Sequence, residues 1–169
     1  MRQPQWLTPP QQRAWRAYLN GSAWLHEALN DDLEEEAGLS LHEYEILVRL
    51  SEAPGRRIRM SALADRIVHS RSRLTHTITR MQKRGWVNRQ PSRDDGRGVE
   101  AVLTEEGWQT LKKAAPAHVA SVRRHLVDAL SPEQMEKLGE IFAEVANKLH
   151  PDALDVMAVA EEEVQDHTI

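Results

Sequence analysis

At 169 residues and a formal charge of −4, the chain has room for one domain of ordinary size, or for a small module with helical additions. It has no cysteine, which excludes disulfides and thiol redox sensing. It also has no apolar run long enough for a signal sequence or a membrane span, so a cytoplasmic protein without a membrane partner is expected. One Phe and five Trp among many Ala, Leu and Glu suit a mainly helical fold.

The charge becomes informative once it is mapped. Residues 56–98 carry twelve Lys/Arg against three Asp/Glu, a local balance of +9, while the remainder carries ten against twenty-three, or −13. A basic block inside an acidic chain is the electrostatic footprint of a polyanion partner.

In chain order, Thr8-Pro-Pro-Gln11 reads as a capping box with Pro at the first helical position, opening a helix that runs to about Ala37. Trp15, Leu19, Ser22, His26, Leu29 and Leu33 share one face, and Ala17, Trp24 and Ala28 share the other. A helix apolar on two sides must bury both, one against its own domain and one against a partner subunit. Ser40-Leu-His-Glu43 caps a second helix anchored by Tyr44, Leu47 and Leu50, which Ala53-Pro-Gly55 ends. Arg57-Ile-Arg-Met60 is short and β-prone, and could supply a third strand to a later hairpin.

Residues 61–104 read helix, turn, helix, strand, charged loop, strand. Ser61 is placed as the N-cap of a helix to Ile67, and after a Val68-His69 turn Ser70 caps the next, over 71–84. In that second helix Leu74, Ile78 and Met81 recur at i, i+4, i+7 and line one buried stripe. Nearly opposite lie Ser72, Thr75, His76, Thr79 and Lys83, flanked by Arg73 and Arg80, with no carboxylate anywhere in the helix. Gly85 closes it in the position that favours a left-handed residue. Trp86–Pro91 and Val99–Thr104 then flank a Gly-rich loop with Arg93 and Arg97 at its tip, a hairpin longer than a tight turn. A helix-turn-helix followed by such a hairpin is the winged arrangement, in which the second helix enters the DNA major groove and the loop reaches the neighbouring minor groove. Arg can donate two hydrogen bonds to guanine and Ser and Thr accept several partners, although Arg73 would serve a phosphate equally well.

Thr104 is placed as the N-cap of a fifth helix, with Glu105 and Glu106 at its positive end. Trp108, Leu111, Ala115, Val119, Val122 and Leu126 form an apolar stripe continuing to Leu130, and Pro116 is expected to kink the helix. Ser131-Pro-Glu-Gln134 opens a sixth helix with Met135, Leu138, Phe142, Val145 and Leu149 facing inward until Pro151 stops it; residues 152–169 fit one more short helix and an acidic end. These outer helices carry much apolar surface and little positive charge, which suits association. Pairing would set two recognition helices one helical turn apart on DNA. The fold is therefore mainly α with a small β wing. Residues 38–104 form a winged helix-turn-helix DNA-binding region, and residues 1–37 with 105–169 form a helical dimerisation region.

Other chemistry finds little support. His118 and His125 fall on one face two turns apart, but there is no HxxxH pair or paired carboxylate cluster, so neither a metal nor a cofactor is expected. There is no nucleophile elbow, P-loop or HExxH, and no catalytic residue is assigned. Trp15, Tyr18 and Trp24 fit core or subunit interface first and the lining of an effector cleft second.

Asp95-Gly-Arg97 followed by Val102-Leu-Thr-Glu-Glu-Gly107 is similar to the D-x-R and L-T-x-x-G wing signature of the MarR family of bacterial transcription regulators. Gly85-Trp-Val-Asn-Arg89 and the helix start Ser70-Arg-Ser-Arg-Leu-Thr75 also resemble the family, and the likeness covers nearly the whole chain. The resemblance implies a homodimer joined through its terminal helices and bound to a pseudo-palindromic duplex operator, a repressor relieved by a small aromatic or anionic effector held between the dimer and DNA-binding regions. By the same resemblance Arg97 enters the minor groove with Asp95 holding its side chain. Ser70, Ser72, Arg73, Thr75 and His76 approach bases and phosphates, and Arg89 lies near phosphate. The chain departs from the thiol-sensing branch, having no cysteine. The alternative is a non-catalytic winged-helix module that uses its basic face for a protein or RNA partner.

Overall fold

The structure, a computed structural model, describes residues 4–66, 71–92 and 98–149, with the side chains of 65, 66 and 71 left aside. Among the described residues, six α-helices and three short strands follow one another, with 3-10 turns at Pro54–Arg56 and Val127–Ala129. They are α1 (Pro9–Ala37), α2 (Leu41–Glu52), β1 (Arg57–Arg59), α3 (Met60–Arg66), α4 (Arg71–Lys83), β2 (Val87–Pro91), β3 (Val99–Leu103), α5 (Glu105–His125) and α6 (Pro132–Leu149). The fold is the mainly α architecture with a small antiparallel sheet that the periodicities indicate. None of the described helices is long and apolar enough to cross a membrane.

The helix starts are set by local chemistry. The Thr8 amide donates to Gln11 Oε1 at 2.9 Å, and α1 closes on Gly38, whose φ of +67° lets its amide reach Glu34 O at 3.1 Å. At α2 the Ser40 amide donates to Glu43 Oε2 at 2.9 Å while the Glu43 amide donates to Ser40 Oγ at 3.3 Å, completing a capping box. One expected cap is wrong. Helix α3 begins at Met60, directly from β1, so Ser61 lies inside its first turn. Pairing of Arg57, Ile58 and Arg59 with Val102, Ala101 and Glu100 fixes the backbone up to the helix and leaves no intervening capping residue. The Val68-His69 turn and the Ser70 cap lie outside the described residues.

The sheet has the order β1-β3-β2, with Val87 opposite Leu103 and Pro91 opposite Val99, so the short run at 57–59 does supply the third strand. Its inner face joins the helices in one core, where Leu47, Leu50, Leu63, Ile78, Met81 and Val87 are fully buried. The stripe of α4 is buried throughout, at 3% exposure for Leu74 and 0% for Ile78 and Met81.

The L-T-x-x-G run has a packing reason. Thr104 Oγ1 accepts from the Gly107 amide at 3.0 Å to cap α5, and lies 2.6 Å from Gly85 O, to which it donates. A Cβ on Gly107 would sit 2.1 Å from Trp86 O, so only glycine lets α5 press against the chain leaving α4. This knot ties the start of α5 to the chain leaving α4.

Two expectations for the outer helices need correction. Helix α5 runs unbroken through Pro116, but its inward line is Leu111, Ala114 and Ser121 with His118 half-buried, whereas Val119 is 56% exposed. The helix is turned by polar partners. Ser121 Oγ donates to Asp32 of α1, which also accepts from Arg124 Nη2 at 2.6 Å and lies 2.8 Å from His125 Nε2. The stripe of α6 does not face inward within the chain either. No residue of α6 is buried, and Ile141, Phe142, Val145 and Leu149 are between 42% and 67% exposed. Phe142 meets the Tyr18 ring of α1 at 5.6 Å, and Trp15 stacks on Tyr18 at 5.7 Å. Together with the exposed Leu19, Ile141 and Val145 they leave apolar surface on α1 and α6 that is uncovered among the described residues.

Candidate nucleic-acid interface

Helix α4 presents Ser72, Arg73, Thr75 and His76 on its exposed side, with Lys83 further along and Thr79 half-buried. Because Leu74, Ile78 and Met81 anchor the opposite side, the helix cannot turn this face inward without emptying the core. An exposed surface of hydroxyls, imidazole and guanidinium, free of carboxylates, suits phosphate oxygens and the acceptor edges of bases.

Two arginines clamp the flanks. On one side Arg89 of β2 donates from Nη2 to Thr75 O and to Thr79 Oγ1, both at 2.9 Å, while Thr79 Oγ1 donates to Thr75 O at 2.8 Å. Arg89 thereby struts the helix against the sheet and engages the Thr79 hydroxyl. On the other side Arg80 donates from Nε to Glu43 Oε1 at 2.8 Å and from Nη2 to Ser40 Oγ at 3.4 Å. Next to it Arg84 donates to Gly38 O at 2.9 Å, stacks its guanidinium 3.9 Å from the Trp86 ring centre, and places Nη1 3.8 Å from Glu43 Oε2.

The ten positions singled out from the sequence thus separate. Ser72, Arg73, Thr75 and His76 share the exposed face; Thr79 and Arg89 form one clamp; Arg80 belongs to the other, turned toward α2. Ser70, Asp95 and Arg97 lie outside the described residues. The base of the wing is nevertheless anchored. The Ser92 amide donates to Gly98 O at 2.8 Å, Ser92 Oγ donates to Glu100 Oε1 at 3.1 Å, and Arg57 lies 3.5 Å from the other Glu100 oxygen. Glu43 and Arg84 carry no signal of this role in the sequence beyond the capping-box pattern, since their contacts span 37 and 46 residues.

A second feature lies where α1, α2 and α5 meet. A cavity of about 310 Å³ is bordered by His26, Leu29, Tyr44, Glu45, Val48 and His118. The Tyr44 and His118 rings lie 4.3 Å apart, and His118 Nδ1 is buried without a hydrogen-bond partner. Burial holds the His118 pKa below its ordinary value, only partly offset by Glu45, and burial together with Glu52 raises that of Tyr44. Trp15, Tyr18 and Trp24 do not border this cavity. Trp15 precedes His26 by eleven residues, about 16 Å along the helix axis, and with Tyr18 it packs toward Phe142 instead. Trp24 points away, 67% exposed. Among the described residues no group of three or more His, Asp or Glu could hold a metal ion.

Comparison with known proteins places this geometry. The MarR family profile matches residues 39–99. Sco3205 of Streptomyces coelicolor, a MarR family transcriptional regulator solved in complex with DNA, is 43% identical over 89% of this chain and 94% of its own, with a TM-score of 0.82. AbsC, a MarR family transcriptional regulator from the same organism, is 46% identical over 88% of this chain and 100% of its own, with a TM-score of 0.79. The transcriptional repressor MprA of Escherichia coli is 28% identical over 103 residues, which span 61% of this chain but only 58% of MprA.

Proposed function

The chain belongs to the MarR family of transcriptional regulators, and on that premise we propose that it acts as a homodimer on a pseudo-palindromic duplex operator, as a repressor released by a small aromatic or anionic effector. The observation that carries the reading is the division of α4. Its apolar side is locked in the core, and Ser72, Arg73, Thr75 and His76 stand exposed on its basic, carboxylate-free side. These four side chains read the major groove, and the family resemblance alone assigns Arg97, outside the described residues, to the minor groove. The DNA held by Sco3205 and the repressor role named for MprA support carrying both functions to this chain. Residues 1–37 with 105–169 form the dimerisation region, in keeping with the uncovered apolar face of α1 and α6. The His118 cavity, set between that region and the winged module of residues 38–104, is the effector site that best fits, since a ligand polar group there would satisfy the buried Nδ1.

Selection from random duplexes tests the reading. The outcome expected is an enriched inverted repeat bound by two chains, with a log–log salt slope of about −0.9 per phosphate neutralised. Selection that enriches no inverted repeat would favour a winged module for RNA or a protein partner.

A further inference from the structure

We propose that Glu43 is a specificity-determining positioning residue: its buried carboxylate holds Arg80 and Arg84 against α2 and withholds them from non-specific phosphate contact. The proposal rests on the reading of α4 as the DNA-reading helix.

A capping box needs only a hydrogen-bond acceptor at its fourth position, and Gln serves there as well as Glu. Such positions are ordinarily solvated. Glu43 is instead 2% exposed, and an ionised carboxylate so placed is costly unless cations accompany it. The two it has come from α4 and the residue following it. Arg80 Nε lies at 2.8 Å and Arg84 Nη1 at 3.8 Å, while its cap contacts to the Ser40 amide and hydroxyl lie at 2.9 and 3.2 Å. The charge of Glu43 is therefore explained by the arginines and not by the cap.

The arginines, in turn, sit on the edge of the helix that faces a polyanion. A guanidinium there with no counter-charge would bind any phosphate and strengthen binding to every sequence alike. Pairing with Glu43 removes one unit of that indiscriminate attraction. It also fixes the roll of α4 on the side opposite the Arg89 strut, so that Ser72, Arg73 and His76 meet base edges in one register. Both effects favour the matching duplex over the rest.

The test uses the full chain with its selected operator and a random duplex of equal length, each titrated over a salt series. Glu43→Gln keeps the cap and the volume and removes the charge. Affinity for the random duplex should rise several-fold, its log–log salt slope should steepen by about 0.9, and the operator-to-random ratio should fall roughly ten-fold, about the worth of one base pair of discrimination. A variant with the wild-type melting temperature, slope and ratio would overturn the proposal. If Glu43→Gln does not fold, the double variant E43Q/R80Q decides, because it removes one cation together with the carboxylate and leaves the net charge of the cluster, now carried by Arg84 alone, unchanged. Its slope on random duplex should match wild type, and a slope shallower by about one phosphate would show Arg80 already on the backbone and overturn the assignment. Failure of the wild-type chain to prefer any duplex would overturn the reading of α4 itself. Wild-type preference that Glu43→Gln retains would overturn only the role of Glu43.

Discussion

Helices α4 and α6 are both amphipathic, yet the chain treats them oppositely. The apolar stripe of α4 is sealed in the core and its polar side is presented, whereas α6 buries no residue and presents Phe142, Val145 and Leu149. An exposed polar face costs nothing in water and is available for reading a ligand. An exposed apolar face of this extent is a standing cost that a second surface removes. On the proposed function, the contrast separates a helix folded for recognition from one folded for association.

Substitution on the two stripes should break the comparison in different ways. The largest effect is expected from Ile78→Ala, which empties a fully buried site and should cost about 2–5 kcal/mol of stability in denaturant unfolding at fixed protein concentration. A cost below about 1 kcal/mol would mean that α4 is not locked in place. Phe142→Glu should leave the protomer folded and weaken self-association by about 2–4 kcal/mol, roughly 30- to 1,000-fold in the dimer dissociation constant, as read by sedimentation. If that variant stayed paired as tightly as wild type, the uncovered face would not be the interface, and α6 would no longer contrast with α4.

The same pair of helices shows what the sequence could and could not disclose. The stripe of α4, the Gly85 terminus and the Thr104 cap were legible because each depends on residues within one or two turns. For α6 the periodicity was right, but no described element of the chain buries the stripe, and periodicity alone cannot tell "inward" from "outward". In α5 the reading held at Leu111 and Trp108 but misplaced Val119, for a different reason. Hydrophobicity alone favoured Val119, while the rotation is set by Ser121 meeting an Asp32 that lies 89 residues away. Arg80 and Arg89 were legible as basic residues of the site. That they act as opposed clamps depends on Glu43, Thr75 and Thr79, a tertiary arrangement that no local pattern encodes.

The smallest expected effect concerns the joint that sets α5 against α1. The Ser121 hydrogen bond, then those of Arg124 and His125, lower the Asp32 pKa to about 2, from its ordinary 3.8. The folded chain thus holds the Asp32 proton less tightly than the unfolded chain, so this contribution to stability is complete above about pH 4 and is lost as pH falls toward 2. Asp32→Asn removes the titration while keeping the volume. Wild type should therefore be the more stable of the two at neutral pH, with the difference narrowing as pH falls through that window. Arg124 stays charged throughout and so adds no titration of its own to the narrowing. If acid-unfolding curves of the two proteins ran parallel from pH 6 to pH 2, Asp32 would not hold α5 in its rotation. The exposure of Val119 would then need another cause, since the polar contacts that turn Ser121 inward are the same ones that turn Val119 out.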